Sequence, residues 1–486
     1  MNILFKRSAP FLAVLGLTLG GCQPDLDDSP KSSAGQADFS RYVAVGNSLT
    51  AGFGDGGPNS VGGLSLEGQL NSYPNLLAGQ FKVVGGGDFV QPLFNANQAN
   101  GSGFLKLTGF TTPESPIIGF EGTNTANVPG SLTASRTLLA KYTGPTNQNL
   151  GVPGIKVADV TTNGYGLNNP VDFNPYFERL LPSGAAGAAN YLQYVGAQVT
   201  AVKPTFFTNW LGNNDVLAFA TGGGVDDVLT PVAEFTTKYN AVVDALTATG
   251  AKGLVATIPN VTALPQFVTV PTAAVIAQVQ NTAITPAQST ALAAALGLPG
   301  LPANARFGLY IRTSATGAGA VREATAADLI LLKSRALLNA PSTTSPFPGG
   351  VGLVIPGAPA GTANALAQAS NALPNSAVLD ASEVASVNAA TVALNRVILD
   401  AAARKGLAVF DANSYFNGVA RTGLVINGVS NTTAYLAGNL FSLDGVHPTP
   451  RGYAVIANEM IKAINATYGA QVPGLDPSAY RGVKFP

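Results

Sequence analysis

Only one of the 486 residues is a histidine, His447, and it lies in Asp444-Gly445-Val446-His447-Pro448 just ahead of the last helical pattern. Histidine changes charge near neutrality, which suits it to act as base and then acid for a hydroxyl nucleophile. A chain with one histidine must run any such chemistry there. Asp444, three residues earlier, is placed to orient the ring. The hydroxyl candidate is Ser48 in Gly46-Asn47-Ser48-Leu49, where the first strand pattern turns toward a helix. A serine attacks a carbonyl only when a base takes its proton, a third group orients that base, and donors receive the oxyanion. Two donor candidates stand out. Gly154 ends Asn149-Leu150-Gly151-Val152-Pro153-Gly154, with Gly151 a second glycine nearby, and Asn214 lies in Gly212-Asn213-Asn214-Asp215. Taken singly, each string reads as an ordinary turn. Together they supply every role once.

The elements that must position these residues alternate between strand and helix signals from Arg41 onward, which predicts an α/β domain with a largely parallel sheet. Short apolar runs cover Tyr42 to Val45, Thr205 to Trp210, Gly253 to Pro259 and Leu407 to Asp411, with a fifth near Asn149 to Val152. A helix over Pro231 to Thr249 carries Val232, Phe235, Tyr239, Val242 and Leu246 on one stripe, with Thr230 expected as its N-cap. Asp380 and Glu383 read as a capping box for a helix to Lys405, stopped by Gly406. The last helix starts at Thr449-Pro450, aligns Tyr453, Ile456, Met460 and Ile464, and ends at Gly469. Each chemical candidate thus falls at or beyond the carboxyl end of a strand, or just before a helix. That is the edge where open α/β sheets bind ligands.

These four blocks, in this order, resemble the SGNH (GDSL) hydrolases, a family of esterases and lipases. The matching residues are Gly46-Asn47-Ser48-Leu49, Gly154, Gly212-Asn213-Asn214-Asp215 and Asp444-Gly445-Val446-His447. The resemblance covers about 41–85, 146–165, 203–262 and 380–468. It implies a three-layer flavodoxin-like fold around a five-stranded parallel sheet. It also implies Ser48 as nucleophile, His447 as base and acid, Asp444 as orienter, and an oxyanion hole of the Ser48 amide, the Gly154 amide and the Asn214 side chain. The implied reaction is carboxylic ester hydrolysis through an acyl-enzyme, with no cofactor and no metal. Asn47 departs from the family pattern, which has Asp beside the serine. Residues 55–145 and 263–378 are read as long insertions on the same core, the second with helix signals at Pro286 to Leu296 and Ala326 to Leu338. Phe267, Val268, Val270, Leu309, Tyr310, Ile311, Val351, Leu353, Val354 and Ile355 within it would either line an acyl site or pack among themselves.

Composition narrows the setting. Hydrophobic residues make up 46%, enough for a large core, and 26 basic residues balance 26 acidic ones, so no basic surface points to nucleic acid. Lys6 and Arg7, the apolar run Ala9 to Leu19, and Leu19-Gly20-Gly21-Cys22 read as a signal peptide over 1–21. The last four residues resemble the bacterial lipobox, which implies lipidation of Cys22, the only cysteine. Gln23 in place of Asp implies, by the same resemblance, anchoring at the outer membrane, with surface exposure open. Residues 22–39 read as the lipidated cysteine and a flexible tether, 40–470 as the hydrolase domain, and 471–486 as a tail. With one histidine as base, a single acid-side ionisation of activity is expected. The substrate stays open between an acylated lipid and an acetylated glycan. An inactive surface-tethered binding lipoprotein, or a transacylase using the same residues, would carry the same blocks.

Overall fold

The computed structural model describes residues 32–57, 62–112, 115–121, 138–166, 173–182, 190–314 and 317–486. Cys22 and the leader lie outside the described residues. Five strands form one all-parallel sheet: β1 (Tyr42–Gly46), β2 (Asn149–Gly151), β3 (Phe206–Trp210), β4 (Lys252–Ala256) and β5 (Ala408–Phe410), in the order β5-β4-β3-β1-β2. All five expected strands are present, and they lie side by side. The register sets Gly46 beside both Trp210 and Gly151, so β1, β2 and β3 end together. This order is that of flavodoxin-like doubly wound sheets, whose ligand crevice opens where successive strands step to opposite sides of the first.

Parallel strands buried on both faces read as continuous apolar runs, and alternate side chains supply two cores. Val43, Val45, Leu150, Phe207 and Val255 meet α3 (Tyr191–Val202), α5 (Val232–Thr247) and α6 (Ala381–Lys405). On the other face Tyr42, Ala44, Phe206, Leu254, Ala256, Ala408 and Phe410 meet α2 (Tyr73–Val83) and α7 (Pro450–Tyr468). The result is a three-layer sandwich. Two short helices finish the edge that matters: α1 (Ser48–Ala51) follows β1 and α4 (Asn214–Thr221) follows β3.

The capping box holds: Asp380 Oδ1 accepts from the Glu383 N–H, and Glu383 returns a bond to the Asp380 N–H. Gly406 and Gly469 end their helices in the left-handed conformation. Thr230 is not the cap expected of it. Pro231 takes that position, while the Thr230 hydroxyl donates to buried Asp215 at 2.7 Å. Within 55–145, residues 73–83 are not inserted at all. Tyr73, Leu76, Leu77 and Phe81 of α2 form part of the second core, a stripe obscured in the sequence by glycine and asparagine on either side. Among the described residues between that helix and β2, Phe104–Thr112 and Ser115–Glu121 form an antiparallel hairpin.

The 263–378 addition folds on small cores of its own around a three-stranded antiparallel sheet of Val351–Val354, Arg306–Arg312 and Val321–Glu323. The helix expected over Pro286 to Leu296 forms over Pro286–Ala295 behind a Thr285 cap. The one expected over Ala326 to Leu338 does not. Leu329–Ile330 instead pairs antiparallel with Val378–Leu379, and a 3₁₀ turn spans Leu332–Leu337. A continuous apolar run carries no periodicity to separate strand from helix, and here pairing across the chain decided it.

The described segment from Ser33 and the C-terminal residues are tied down as well. Ser33 and Gln471 exchange backbone hydrogen bonds, and Phe39 is buried, so the segment expected to be a flexible tether docks on the domain from Ser33 onward. At the C-terminus Val472 is buried, and Arg481 and Lys484 both pair with Glu67.

Candidate active site

Ser48 is the first residue of α1, directly beyond the carboxyl end of β1. Asn47 caps that helix through its side-chain oxygen, which accepts the Leu49 N–H at 3.0 Å. A neutral amide serves there as well as a carboxylate, since Asn and Asp are equally good caps. The Ser48 N–H, at the first helical position, has no partner among the described residues, as expected of an N-terminal helix amide.

Ser48 and His447, 399 residues apart, meet at 2.8 Å between Oγ and Nε2, and His447 Nδ1 lies 2.7 Å from Asp444 Oδ2. The Asp444 carboxylate is well supplied with donors. Oδ1 accepts from the N–H groups of Val446 and His447 and from the Ser442 hydroxyl, and Oδ2 accepts from the Gly56 N–H at 2.8 Å. Burial pushes its proton affinity up, but the His447 ring and these bonds outweigh it, and the group sits below the usual carboxylate range. With Asp444 held in its ionised form, His447 Nδ1 is placed to donate to it, and Nε2 faces the Ser48 hydroxyl.

A tight turn makes this possible. Ser442 N–H bonds the His447 carbonyl, and Gly445 adopts φ +70° with its carbonyl accepting from Gln266. A Cβ on Gly445 would come within 2.9 Å of the Gln266 nitrogen, so both space and backbone require glycine. The Phe53 ring lies 4.6 Å from the imidazole, centroid to centroid, closing one side.

The donor candidates converge on the same edge. Val152-Pro153-Gly154-Ile155 is a turn closed by the Ile155 N–H to the Val152 carbonyl, with Pro153 second and Gly154 third at φ +85°, the arrangement of a type II turn. Gly154 is exposed and its N–H has no partner among the described residues. The neighbouring Gly151 is buried in β2 and spends its N–H on the Asn149 side chain, which separates the two glycines. Asn214 gives one side-chain hydrogen to the Ile155 carbonyl at 2.9 Å and so ties the turn to α4; the other has no partner among the described residues. Asp215, fully buried, holds the same loop by accepting from Val157, Ala158 and Thr230.

Beside Ser48 and His447 lies a pocket with about 490 Å³ of empty space, its mouth included. Leu49, Leu217, Val261, Leu264, Phe416 and Phe441 give it apolar walls, and Asn213 and Asn214 also line it. Of the apolar residues singled out in the 263–378 addition, none lines it. Val270, Leu309, Ile311, Val351 and Leu353 pack within that addition, and Phe267 joins the main core. No known family pattern matches the chain, and no characterised protein matches it in sequence.

Sequence reasoning did not single out Asp55, Ser442 or a role for Asp215. An isolated Asp in a glycine-rich stretch carries no signal until the fold surrounds it. Asp55 and Asp215 are both pushed by burial from 3.8 to about 6, partly offset by the hydrogen bonds they accept. Their folded-state values lie above the unfolded one, so the stability they lend is fully present below about pH 4 and is lost as pH rises through about 6. Denaturant unfolding at pH 5 and pH 8 is therefore expected to show a loss on the order of 2 kcal/mol at the higher pH. An equal or greater stability at pH 8 would contradict the assigned burial.

Proposed function

We propose that the protein is a serine hydrolase of carboxylic esters in the SGNH (GDSL) manner, working through an acyl-enzyme on Ser48. The observation that carries this reading is the unbroken contact from Ser48 Oγ through His447 to a partly buried Asp444, with Ser48 and His447 lining an apolar pocket. His447 Nε2 takes the Ser48 proton as Oγ bonds to the ester carbonyl carbon. The tetrahedral oxyanion is received by the Ser48 and Gly154 amides and the free hydrogen of Asn214. His447 then protonates the departing alcohol, and water repeats the cycle to release the acid. Asp444 stabilises the imidazolium without taking its proton.

An inactive binding protein would tolerate Ser48 and His447 far apart, so their 2.8 Å contact favours catalysis. The apolar walls favour acyl groups longer than acetyl, since burying each further methylene contributes about 0.8 kcal/mol. With p-nitrophenyl esters from acetate to palmitate, turnover is expected to peak above acetate and to vanish in Ser48→Ala and His447→Ala. An inert wild type, or active variants, would refute the reading. Acyl transfer to an added alcohol in the same assay separates a transacylase from a hydrolase.

Asn214→Ala is expected to lower kcat by about 10²–10³ with KM nearly unchanged, because its hydrogen bond strengthens only as the oxyanion forms. A change confined to KM would remove Asn214 from the oxyanion hole.

Anchoring through a lipidated Cys22 in the bacterial envelope, at the outer membrane, is part of the same proposal and rests on the leader and the Leu19-Gly20-Gly21-Cys22 string. Incorporation of labelled palmitate into the expressed protein, lost in Cys22→Ser, is the expected result. Undiminished labelling of the variant would rule the anchor out.

A further inference from the structure

The stretch Phe53 to Gly56, directly after α1, wraps the turn that bears Asp444 and His447. The Phe53 ring lies against the imidazole, tilted by 48°, and the Phe53 carbonyl accepts from Tyr453 at 2.6 Å. The Asp55 N–H bonds the Ser442 hydroxyl at 2.9 Å, which in turn donates to Asp444 Oδ1. The Asp55 carboxylate accepts the Leu443 N–H at 2.9 Å, and the Gly56 N–H reaches Asp444 Oδ2. Asp55 does this from a left-handed backbone, φ +54°, a conformation that Asp tolerates better than most residues but that still costs free energy.

We propose that Asp55 is a positioning residue for the Asp444–His447 pair: its carboxylate and backbone clamp the Ser442–Leu443 turn and bring a second carboxylate to the turn that bears Asp444. The proposal rests on the serine-hydrolase reading and extends it. An asparagine would accept the same Leu443 N–H without charge, so a purely structural clamp has no need of a carboxylate. Burial makes that charge costly, lifting the Asp55 carboxyl to about 6. What the charge supplies is a field favouring the imidazolium that forms on His447 as Ser48 gives up its proton. The charged and titratable groups facing Asp55 are Asp444 on the turn, Glu67 and Arg481 beyond it, and Tyr435, whose hydroxyl holds the Leu443 carbonyl at 2.8 Å. Asp444 and Glu67 add to the upward shift, and Arg481 opposes it.

This changes the acid-side expectation drawn from the histidine count. Asp55 adds an ionisation near pH 6 that counting histidines could not reveal.

The test is Asp55→Asn beside Asp55→Ala, in the full mature chain with a p-nitrophenyl ester. Wild-type kcat/KM should show the extra acid-side step near pH 6, and Asp55→Asn should lack it. At pH 8 Asp55→Asn should lose about threefold to tenfold in kcat with KM unchanged, a transition-state effect. Its Tm should meanwhile rise at pH 8 and change less at pH 5. Asp55→Ala, which loses the acceptor too, should lose more activity. Wild-type kcat and an unaltered acid limb in Asp55→Asn would overturn the proposal, as would a fall in Tm that tracks the fall in activity. Because His447 is the sole histidine, its Nδ1–H resonance gives a readout that needs no substrate. In wild type that signal should step near pH 6, and in Asp55→Asn it should not. If the wild type hydrolyses no ester, the serine-hydrolase reading falls, and this resonance alone decides the clamp. A missing step in wild type would sink it.

Discussion

Five parallel strands cannot be joined by tight hairpins, so every connection must cross back over the sheet before the next strand begins. Most of the molecule follows from that requirement. The crossings place helices on both faces, which buries the strands completely and makes them short apolar runs. They also bring all five carboxyl ends to one edge. Because β2 and β3 flank β1 on opposite sides, the loops after these three strands part at one place. Ser48 and Asn214 open the helices after β1 and β3, Gly154 stands on the loop after β2, and the sheet register ends the three strands together.

The fourth block reaches the edge differently. Asp444 and His447 follow no strand of the sheet. They sit on a tight turn before α7, held against the Ser48 loop by hydrogen bonds and by the Phe53 ring lying against the imidazole. Three carboxylates, Asp215 buried and Asp55 and Asp444 partly so, show how environment settles ionisation. Asp444 has enough donors, and the imidazole, to outweigh its desolvation, and it stays below the usual range. Asp55 and Asp215 accept fewer or weaker compensating bonds and lie about two units above it. All three hold site loops: Asp444 and Asp55 the histidine turn, Asp215 the Gly154 turn. Retaining charged groups in such surroundings lowers stability at neutral pH, as is common where the geometry of a site is favoured over the comfort of the core.

Much of this was legible in the residues. The five strands, the stripe on α5, the capping box of α6 and the glycine stops of α6 and α7 are local patterns, and local patterns survive folding when the tertiary environment agrees with them. The residues Ser48, His447 and Asp444 were legible for another reason: composition left one histidine, and its neighbours limited the choices. Where the reading strayed, a longer-range effect was at work. Leu329–Ile330 became a strand because Val378–Leu379 was there to pair with it. Thr230 left its cap because Asp215, buried, needed a donor more than the helix did. Residues 73–83 joined the core because α7 presented a face that their stripe could cover.

By itself, then, the order of apolar runs and turn residues determined the class of fold, its five strands, and the candidates Ser48, His447 and Asp444, because each depends on periodicity and residue type within a few positions. Tertiary structure alone decided which glycine keeps a free amide, what lines the pocket, and that Asp55 lies against the turn of Asp444. Those outcomes depend on contacts across hundreds of residues, where burial and competition for hydrogen-bond donors, and no local preference, set the result.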